Sequence, residues 1–480
     1  MNAIRTRFAP SPTGRLHLGN ARTALFSYLL ARSTGGAFVL RIEDTDAARS
    51  RPEFERAIAD DLAWLGIIAD ESPDRPGPFG PYRQSERITR HREAVDRLVE
   101  TGHAYPCFCT SEELELARRE ALASHRAPRY SGRCRERTPA QREVMIASGA
   151  RPAIRFRSPH RDVVVRDLLR GEVHFRGDDL DDVIIARSDG AVSFLLASAL
   201  DDADMGITHV LRGDDHLSNT PRQILLLEAL GRTPVAYGHL GLIHGEHGRP
   251  LSKREGDFSV EALRAAGYLP HAVVATLAHL GWSPPEDNSP DPMKTYARSF
   301  RVEDLSAAPC GWDAPRLTHE NARALRTAPP AELVAFIAAE HHAEIAPDHD
   351  RFISALKLLQ PELVSVDDLR EKFRIFCPGA PPLDADAADV ISTPVGEAVV
   401  RALLDLLEAD TDWTMDRFQA VLKVTAERTG RKGKDLYMPI RAALTGRTHG
   451  PELAPTAVIL GQGEVRSRLR NTLNLISLRG

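Results

Sequence analysis

Arg7-Phe8-Ala9-Pro10-Ser11-Pro12-Thr13-Gly14-Arg15-Leu16-His17-Leu18-Gly19-Asn20 places a breaker-rich loop between a short apolar run and a helical pattern. Such a loop delivers the chain to a helix N-terminus, whose free amides and positive dipole end suit a phosphate. His17 stands where that helix begins and can donate to a phosphoryl oxygen as charge develops there. Gly19 lets the backbone approach a nucleotide closely. A lone histidine in this position more often caps a helix than catalyses, and four matching letters are weak by themselves. A second group far along the chain strengthens the reading. Leu251-Ser252-Lys253-Arg254 lies in the Gly-rich, charged loop Gly245–Asp257, where adjacent cations can close over a triphosphate. An ordinary surface turn is the alternative.

The flanking pattern supplies elements to hold these groups. Ile4–Ala9 reads as a strand, and a helix from Leu18–Gly19 carries Ala21, Ala24, Leu25, Tyr28 and Leu29 to a stop at Gly35-Gly36. Ala37–Ile42 is a strand interrupted only by Arg41, followed by the acidic turn Glu43-Asp44-Thr45-Asp46. Ligands of open α/β sheets sit at that carboxyl edge. Pro52 starts a helix with Phe54, Ile58, Leu62 and Leu65, closed by Gly66. From about Tyr105 to Arg187 an Arg-rich stretch and short β-like runs (Ala153–Arg157, Val163–Arg166, Val183–Ala186) read as an insertion. The α/β pattern resumes with the strand Ile207–Arg212 and a helix capped by Thr220-Pro221 and running to Gly231. After Cys310 the chain is Ala- and Leu-rich with helical periodicity, punctuated by prolines such as Pro329-Pro330.

A chain of 480 residues suggests roughly three domains. Its 42% hydrophobic and 27% charged residues are an ordinary globular balance that excludes a disordered or fibrous protein. The first residues lack the apolar core of a secretory signal, and runs such as Val273–Leu280 fall short of the ~20 residues that span a bilayer, so a soluble cytoplasmic protein is expected. Five cysteines in this length argue against a disulfide scaffold. A net charge of −5 argues against general nucleic-acid binding. Locally, though, Arg118 to Arg142 holds eight arginines against two glutamates, with His125 and Tyr130 interleaved. That run is either a solvated helix face or a phosphate-contacting surface.

The two signature groups resemble the HIGH and KMSKS motifs of class I aminoacyl-tRNA synthetases. Arg7–Leu25, Leu40–Asp46, Asp201–Leu227 and Pro439–Gly446 further resemble bacterial glutamyl-tRNA synthetases, in that family's order and spacing across the whole chain. The resemblance implies an α/β architecture. A Rossmann-type catalytic domain in two halves (1–105 and 189–248) would carry an inserted tRNA acceptor-binding domain (106–188). A signature-loop and stem-contact domain (249–315) and an all-helical anticodon-binding region (316–480) would follow. It implies ATP with Mg²⁺, L-glutamate and tRNA(Glu) as substrates, and a monomer. Pro10, Thr13, Gly14, His17, Gly19, Asn20, Leu251, Ser252, Lys253 and Arg254 would bind ATP, with His17 and Lys253 catalytic. Arg7 and Arg212, each ending a predicted strand, can bracket a dicarboxylic amino acid, and Glu43 suits its α-ammonium. Arg212 could instead pair with Asp214 or Asp215. By resemblance Ala9 and Ser11 line the same pocket.

The chain departs from the family pattern in several places. Pro250 replaces the lysine that usually opens the second motif. Phe194 and Ser198 stand where the family often has tyrosine and asparagine, so two polar contacts are lost from these pocket positions. Near Leu359-Gln360-Pro361-Glu362, no arginine occupies the place that reads the last anticodon base in relatives separating the glutamate and glutamine tRNAs. Either Gln360 and Glu362 leave tRNA(Gln) acceptable, or Lys357 or Arg370 takes that role. Cys107-x-Cys109 with Tyr130 and Cys134 resembles the zinc-binding insertion of some relatives, the fourth ligand being Tyr130 or Glu136. A glutaminyl-tRNA synthetase would usually carry Pro-Glu-Pro-Asn in place of Pro10-Ser11-Pro12-Thr13. A non-catalytic tRNA-binding paralogue is the other alternative, against which the intact His17, Glu43, Arg212 and Lys253 argue.

Overall fold

The computed structural model describes residues 3–46, 48–125, 127–245, 258–286, 291–341, 349–379, 381–408 and 413–479. The chain divides into two compact units, Met1–Leu263 with Val273–Ala314, and Arg264–Ala272 with Pro315–Gly480. No described helix is long and apolar enough to cross a membrane.

The first unit opens with β1 (Arg5–Phe8), α1 (Leu18–Ser33) and β2 (Ala37–Leu40), the two strands pairing in parallel from Arg5–Ala37 to Phe8–Leu40. The helix starts at His17, whose Nδ1 accepts the Gly19 amide at 3.3 Å, and stops at Gly35, whose φ of +65° suits glycine. Gly36 then lets the chain turn back beneath β1, because a Cβ there would lie 1.9 Å from the Ile4 carbonyl oxygen. Ala24, Ser27 and Ala31 are buried on the sides of α1 turned away from Leu18, Leu25, Phe26 and Leu29, which are fully buried. The helix is therefore covered all round rather than lying on a surface, and each such side chain contributes about 2 kcal/mol through burial. Past α2 (Pro52–Trp64), with Pro52 in its first turn as expected, α3 (Ile88–Glu100) leads into the insertion.

Within the insertion β3 (Ala104–Cys107), α4 (Ser111–Ala123), α5 (Pro139–Ala147), β4 (Ala153–Phe156), β5 (Val163–Asp167), β6 (Gly171–Phe175) and β7 (Ile184–Ala186) follow in order. β3, β4 and β7 form an antiparallel sheet, while β5 and β6 form a hairpin. In β5 Val163, Val165 and Asp167 are buried and Val164 and Arg166 exposed, so strand alternation turns Asp167 inward. The arginine run is partly neutralised: Arg119 pairs with Glu115, Arg133 with Glu113, Arg129 with Asp179, and Arg135 with Asp182. Exposed pairs such as Arg119–Glu115 are worth about 0–1 kcal/mol and exchange readily for phosphate.

α6 (Phe194–Asp204), β8 (His209–Gly213), α7 (Thr220–Ala229) and β9 (Ala236–Leu240) complete the nucleotide-binding pattern. β8 and β9 are parallel, and Thr208 N–H donates to the Arg5 carbonyl at 2.9 Å, joining this pair to β1. Thr220 lies inside α7's first turn, and its hydroxyl meets Arg212 and His239 instead of capping the helix, which corrects the capping expectation.

The second unit is helical. Leu356, Leu403, Leu436 and Leu469 are among the buried side chains of its core. Arg468 is buried there and donates to the carbonyls of Ile375 (2.8 Å), Leu444 (2.5 Å) and Cys377 (2.6 Å). One guanidinium thus satisfies carbonyls that helix ends would leave bare.

Candidate active site

The carboxyl ends of β1, β2 and β8 and the N-terminal turns of α1 and α6 enclose an open cavity of about 1390 Å³. Arg7, Ala9, Pro10, Ser11, Thr13, His17, Gly19, Asn20, Glu43, Phe194, Ser198 and Arg212 all line it, although they come from segments up to about 200 residues apart. Gly14 is outside the lining, and a Cβ there would meet nothing within 4 Å. Because His17 Nδ1 is occupied as an acceptor, the ring's neutral tautomer carries its proton on Nε2, which makes Nε2 the donor. The capping alternative and the phosphate-donor reading of His17 are therefore compatible. Leu251, Ser252, Lys253 and Arg254 lie outside the described residues, as does Pro250. The described chain before them contributes Ile243 to the cavity. After them, Phe258 accepts from Leu18 N–H at 3.0 Å, beside His17.

Beneath the cavity floor lies a buried charge cluster. Arg7 Nε is 3.1 Å and Arg41 Nη1 2.6 Å from Asp202 Oδ1, and Arg41 Nη2 reaches Glu43 Oε1 at 2.9 Å and Ser198 Oγ at 3.3 Å. Burial opposes ionisation of Asp202, but Arg41 and Arg7 outweigh it and hold its pKa below the ordinary carboxylate range. Arg212 differs. Its Nε donates to His239 Nε2 at 3.1 Å and its Nη2 to Thr220 Oγ1 at 2.7 Å, with its guanidinium 4.7 Å over the Tyr237 ring. Asp214 pairs with Arg170 and Asp215 with His216, so neither takes Arg212. Among the described residues no carboxylate forms an ion pair with it. Burial pulls its pKa down to about 10, so it stays charged near neutral pH. Burial also pushes the Glu43 carboxyl up, against the pull of Arg41 and Arg7. Three guanidiniums (Arg7, Arg41, Arg212) face two carboxylates (Glu43, Asp202), leaving one positive charge in excess.

In the insertion the sulfurs of Cys107, Cys109 and Cys134 lie within 4.8 Å of one another. Tyr130 Oη is 3.5 Å from Cys107 Sγ and 3.9 Å from Cys109 Sγ. Glu136 instead faces Arg157, at 3.2 Å, and is 83% exposed, so of the two candidate fourth ligands the phenol is the one at the sulfurs. Burial works against a thiolate at Cys134, yet hydrogen bonds from the Phe108 amide, Arg137 and Tyr130 bring its pKa down to about 7.

The family profile for class I tRNA synthetases (E and Q), catalytic domain, matches residues 3–319. The chain belongs to that family. An anticodon binding domain profile matches residues 331–473. The synthetase is 40% identical over 479 residues to a glutamate–tRNA ligase of Carboxydothermus hydrogenoformans, covering 98% of this chain and 100% of that protein. It is 43% identical over 476 residues to glutamate–tRNA ligase 2 of Alkalilimnicola ehrlichii, covering 98% of each. In structure it is similar to a glutamate tRNA ligase from Elizabethkingia meningosepticum solved in complex with its amino acid. The TM-score is 0.87 at 29% identity, with 99% of this chain and 100% of that one covered.

Other groups of the synthetase's site escape a reading of the sequence. Arg41 and Asp202 organise the pocket from beneath, and Thr220, Tyr237 and His239 surround Arg212. A charged residue inside an apolar strand was the available signal for Arg41, and paired aspartates in the apolar helix α6 were the signal for Asp202. In the helical unit Gln360 is buried, donating its amide to the carbonyls of Leu325 (2.9 Å) and Ala328 (2.5 Å), whereas Glu362 is exposed with its carboxylate 3.9 Å from Lys372 Nζ. Arg370 pairs with Asp367.

Proposed function

We propose that this synthetase is a glutamate–tRNA ligase. An oxygen of glutamate's α-carboxylate attacks the α-phosphorus of ATP, pyrophosphate leaves, and a hydroxyl of the 3′-terminal ribose of tRNA(Glu) then displaces AMP from the carbonyl carbon. The observation that carries the reading is the unbalanced charge at Arg212, beside the carboxyl of Glu43. Arg212 is a buried cation with no anion among the described residues, and Glu43, paired with Arg41, is a carboxyl whose pKa burial pushes up. A zwitterion with a second carboxylate would bring Arg212 the anion it lacks and set an ammonium beside Glu43, which Arg41 already holds. Arg7, beside Asp202, would help hold the carboxylate end. Ala9, Ser11, Phe194 and Ser198 would wall the pocket. ATP would lie along Pro10, Thr13, Gly14, Gly19 and Asn20, its phosphates met by His17 Nε2–H and by the segment of Leu251, Ser252, Lys253 and Arg254, with Mg²⁺ carried on the nucleotide. The enzyme would act in the cytoplasm.

The arginine-rich insertion would meet the acceptor end of the tRNA. Cys107, Cys109, Cys134 and Tyr130 would hold one structural zinc there, tying β3 to the loop before α5. Purified enzyme should contain about one zinc per chain by elemental analysis, lost in Cys134→Ser. A zinc-free wild-type protein prepared without chelator would contradict this. The proposal extends to tRNA(Gln), because the amide of Gln360 is committed to helix-end carbonyls and Glu362 adds no cation that could reject a base. Glutamate attachment to purified tRNA(Glu) and tRNA(Gln) tests both parts. Charging of both is expected, charging of tRNA(Glu) alone would remove the extension, and charging of neither would sink the whole.

A further inference from the structure

We propose that His239 is a positioning residue for amino-acid recognition, fixing the Arg212 fork from behind through a proton arrangement set by Asp167. This rests on the reading of Arg212 as the receptor for a substrate carboxylate. His239, on β9, has no solvent exposure and does not line the cavity. Its Nδ1 is 2.5 Å from Asp167 Oδ2, and its Nε2 is 3.1 Å from Arg212 Nε and 2.9 Å from Thr220 Oγ1. The ionised carboxylate only accepts, so the ring proton sits on Nδ1. The guanidinium only donates, so Nε2 must offer its lone pair. The partners therefore admit one state, the neutral Nδ1–H imidazole. A charged ring would set N–H against N–H and two cations side by side in a dry site. Burial, which lowers the His239 pKa, acts in the same direction.

The rest of the surroundings agrees with this role. Asp167 is turned inward by the alternation of β5 and also accepts from the Leu169 (2.9 Å) and Arg170 (3.0 Å) amides, so the carboxylate is itself fixed. Leu168 N–H donates to the Tyr237 carbonyl at 2.8 Å, docking the hairpin end on β9. With Nε held by His239, one Nη2 hydrogen held by Thr220 and the guanidinium face on Tyr237, no rotation is left to Arg212. Its Nη1 hydrogens and the second Nη2 hydrogen have no protein acceptor among the described residues. Those are the donors a forked carboxylate contact needs.

Two amide substitutions separate positioning from simple support of the fold. In His239→Gln the amide oxygen can stand near the former Nε2 and accept from Arg212. In His239→Asn the amide can serve Asp167 but cannot reach Arg212. KM for glutamate, KM for ATP and kcat are measured in full-length enzyme, with Arg212→Lys alongside and thermal unfolding of each variant. His239→Asn should raise the glutamate KM by about 10- to 100-fold with ATP KM unchanged, while His239→Gln stays within about 3-fold of wild type. Thr220→Val, which removes only the second acceptor, should move the same parameter in the same direction if His239→Asn does not fold. Equal effects of Gln and Asn, or an ATP KM that moves as far as that of glutamate, would overturn the proposal. Arg212→Lys without effect on glutamate KM would overturn the reading beneath it, a result distinguishable from failure at His239 alone.

Discussion

Replacing Arg212 with alanine should lower kcat/KM for glutamate by about 10³-fold while leaving the ATP KM within about 3-fold of wild type. The expectation follows from burial. Arg212 is 6% exposed, has no carboxylate partner among the described residues, and its guanidinium is held by His239, Thr220 and Tyr237 with donors left over. A carboxylate placed there forms charge-assisted hydrogen bonds in a site with little water to compete. Losing one member of such a pair costs about 2–5 kcal/mol, much of it from the charge left unpaired. In the free enzyme the same substitution removes an uncompensated buried cation, so stability should hold or rise even as activity falls. That opposite movement of stability and activity marks a binding charge as distinct from a structural one. Steady-state aminoacylation together with calorimetry reads both. A loss of activity that simply follows a loss of fold would assign Arg212 to the scaffold.

Asp202 should behave in the reverse sense. It is 1% exposed and is the shared anion of Arg7 and Arg41, with Glu43 the other carboxylate that pairs with Arg41 among the described residues. Asp202→Asn keeps the shape and removes the charge, leaving two buried guanidiniums against a single carboxyl. Breaking a buried ion pair from one side costs about 3–5 kcal/mol. In a unit of this size that is a fall of about 10 °C in the transition of the catalytic unit. Calorimetry on the intact chain, compared with wild type, measures it. A shift of less than about 2 °C would show that the cluster is not held by Asp202. Activity should fall too, because Arg41 positions Glu43 and Ser198, but stability is the larger and more specific loss.

Local pattern made part of this legible. The strand–loop–helix from Arg5 to Ser33 follows from a short apolar run, a loop of breakers and a helical spacing ended by Gly35, each acting within a few residues. The same holds for Pro52 in the first turn of α2 and for the alternation of β5. Pocket residues such as Arg7, Glu43 and Arg212 could be placed at strand ends before the strands were seen together. The partners of those residues could not. Arg41 meets Asp202 across 161 positions, and Arg212 meets His239 across 27, through a sheet order that no local period encodes. Thr220 shows the limit from the other side. Its position before Pro221 fits a helix cap, but a buried guanidinium 2.7 Å away takes its hydroxyl, because an unpaired buried donor costs more than a missing cap. Gln360, offered by its place in the sequence to an anticodon base, is likewise drawn inward to two helix-end carbonyls.

A buried cation, Arg212, and a buried carboxyl, Glu43, would together select glutamate over its amide. Attachment of glutamate and of glutamine to purified tRNA(Glu), measured in parallel with ATP and Mg²⁺, tests it most directly. Glutamate should be attached with a kcat/KM about 10⁴-fold above that of glutamine, since the uncharged amide leaves Arg212 without its anion. Attachment of glutamine at a comparable rate, or of neither amino acid, would contradict the account.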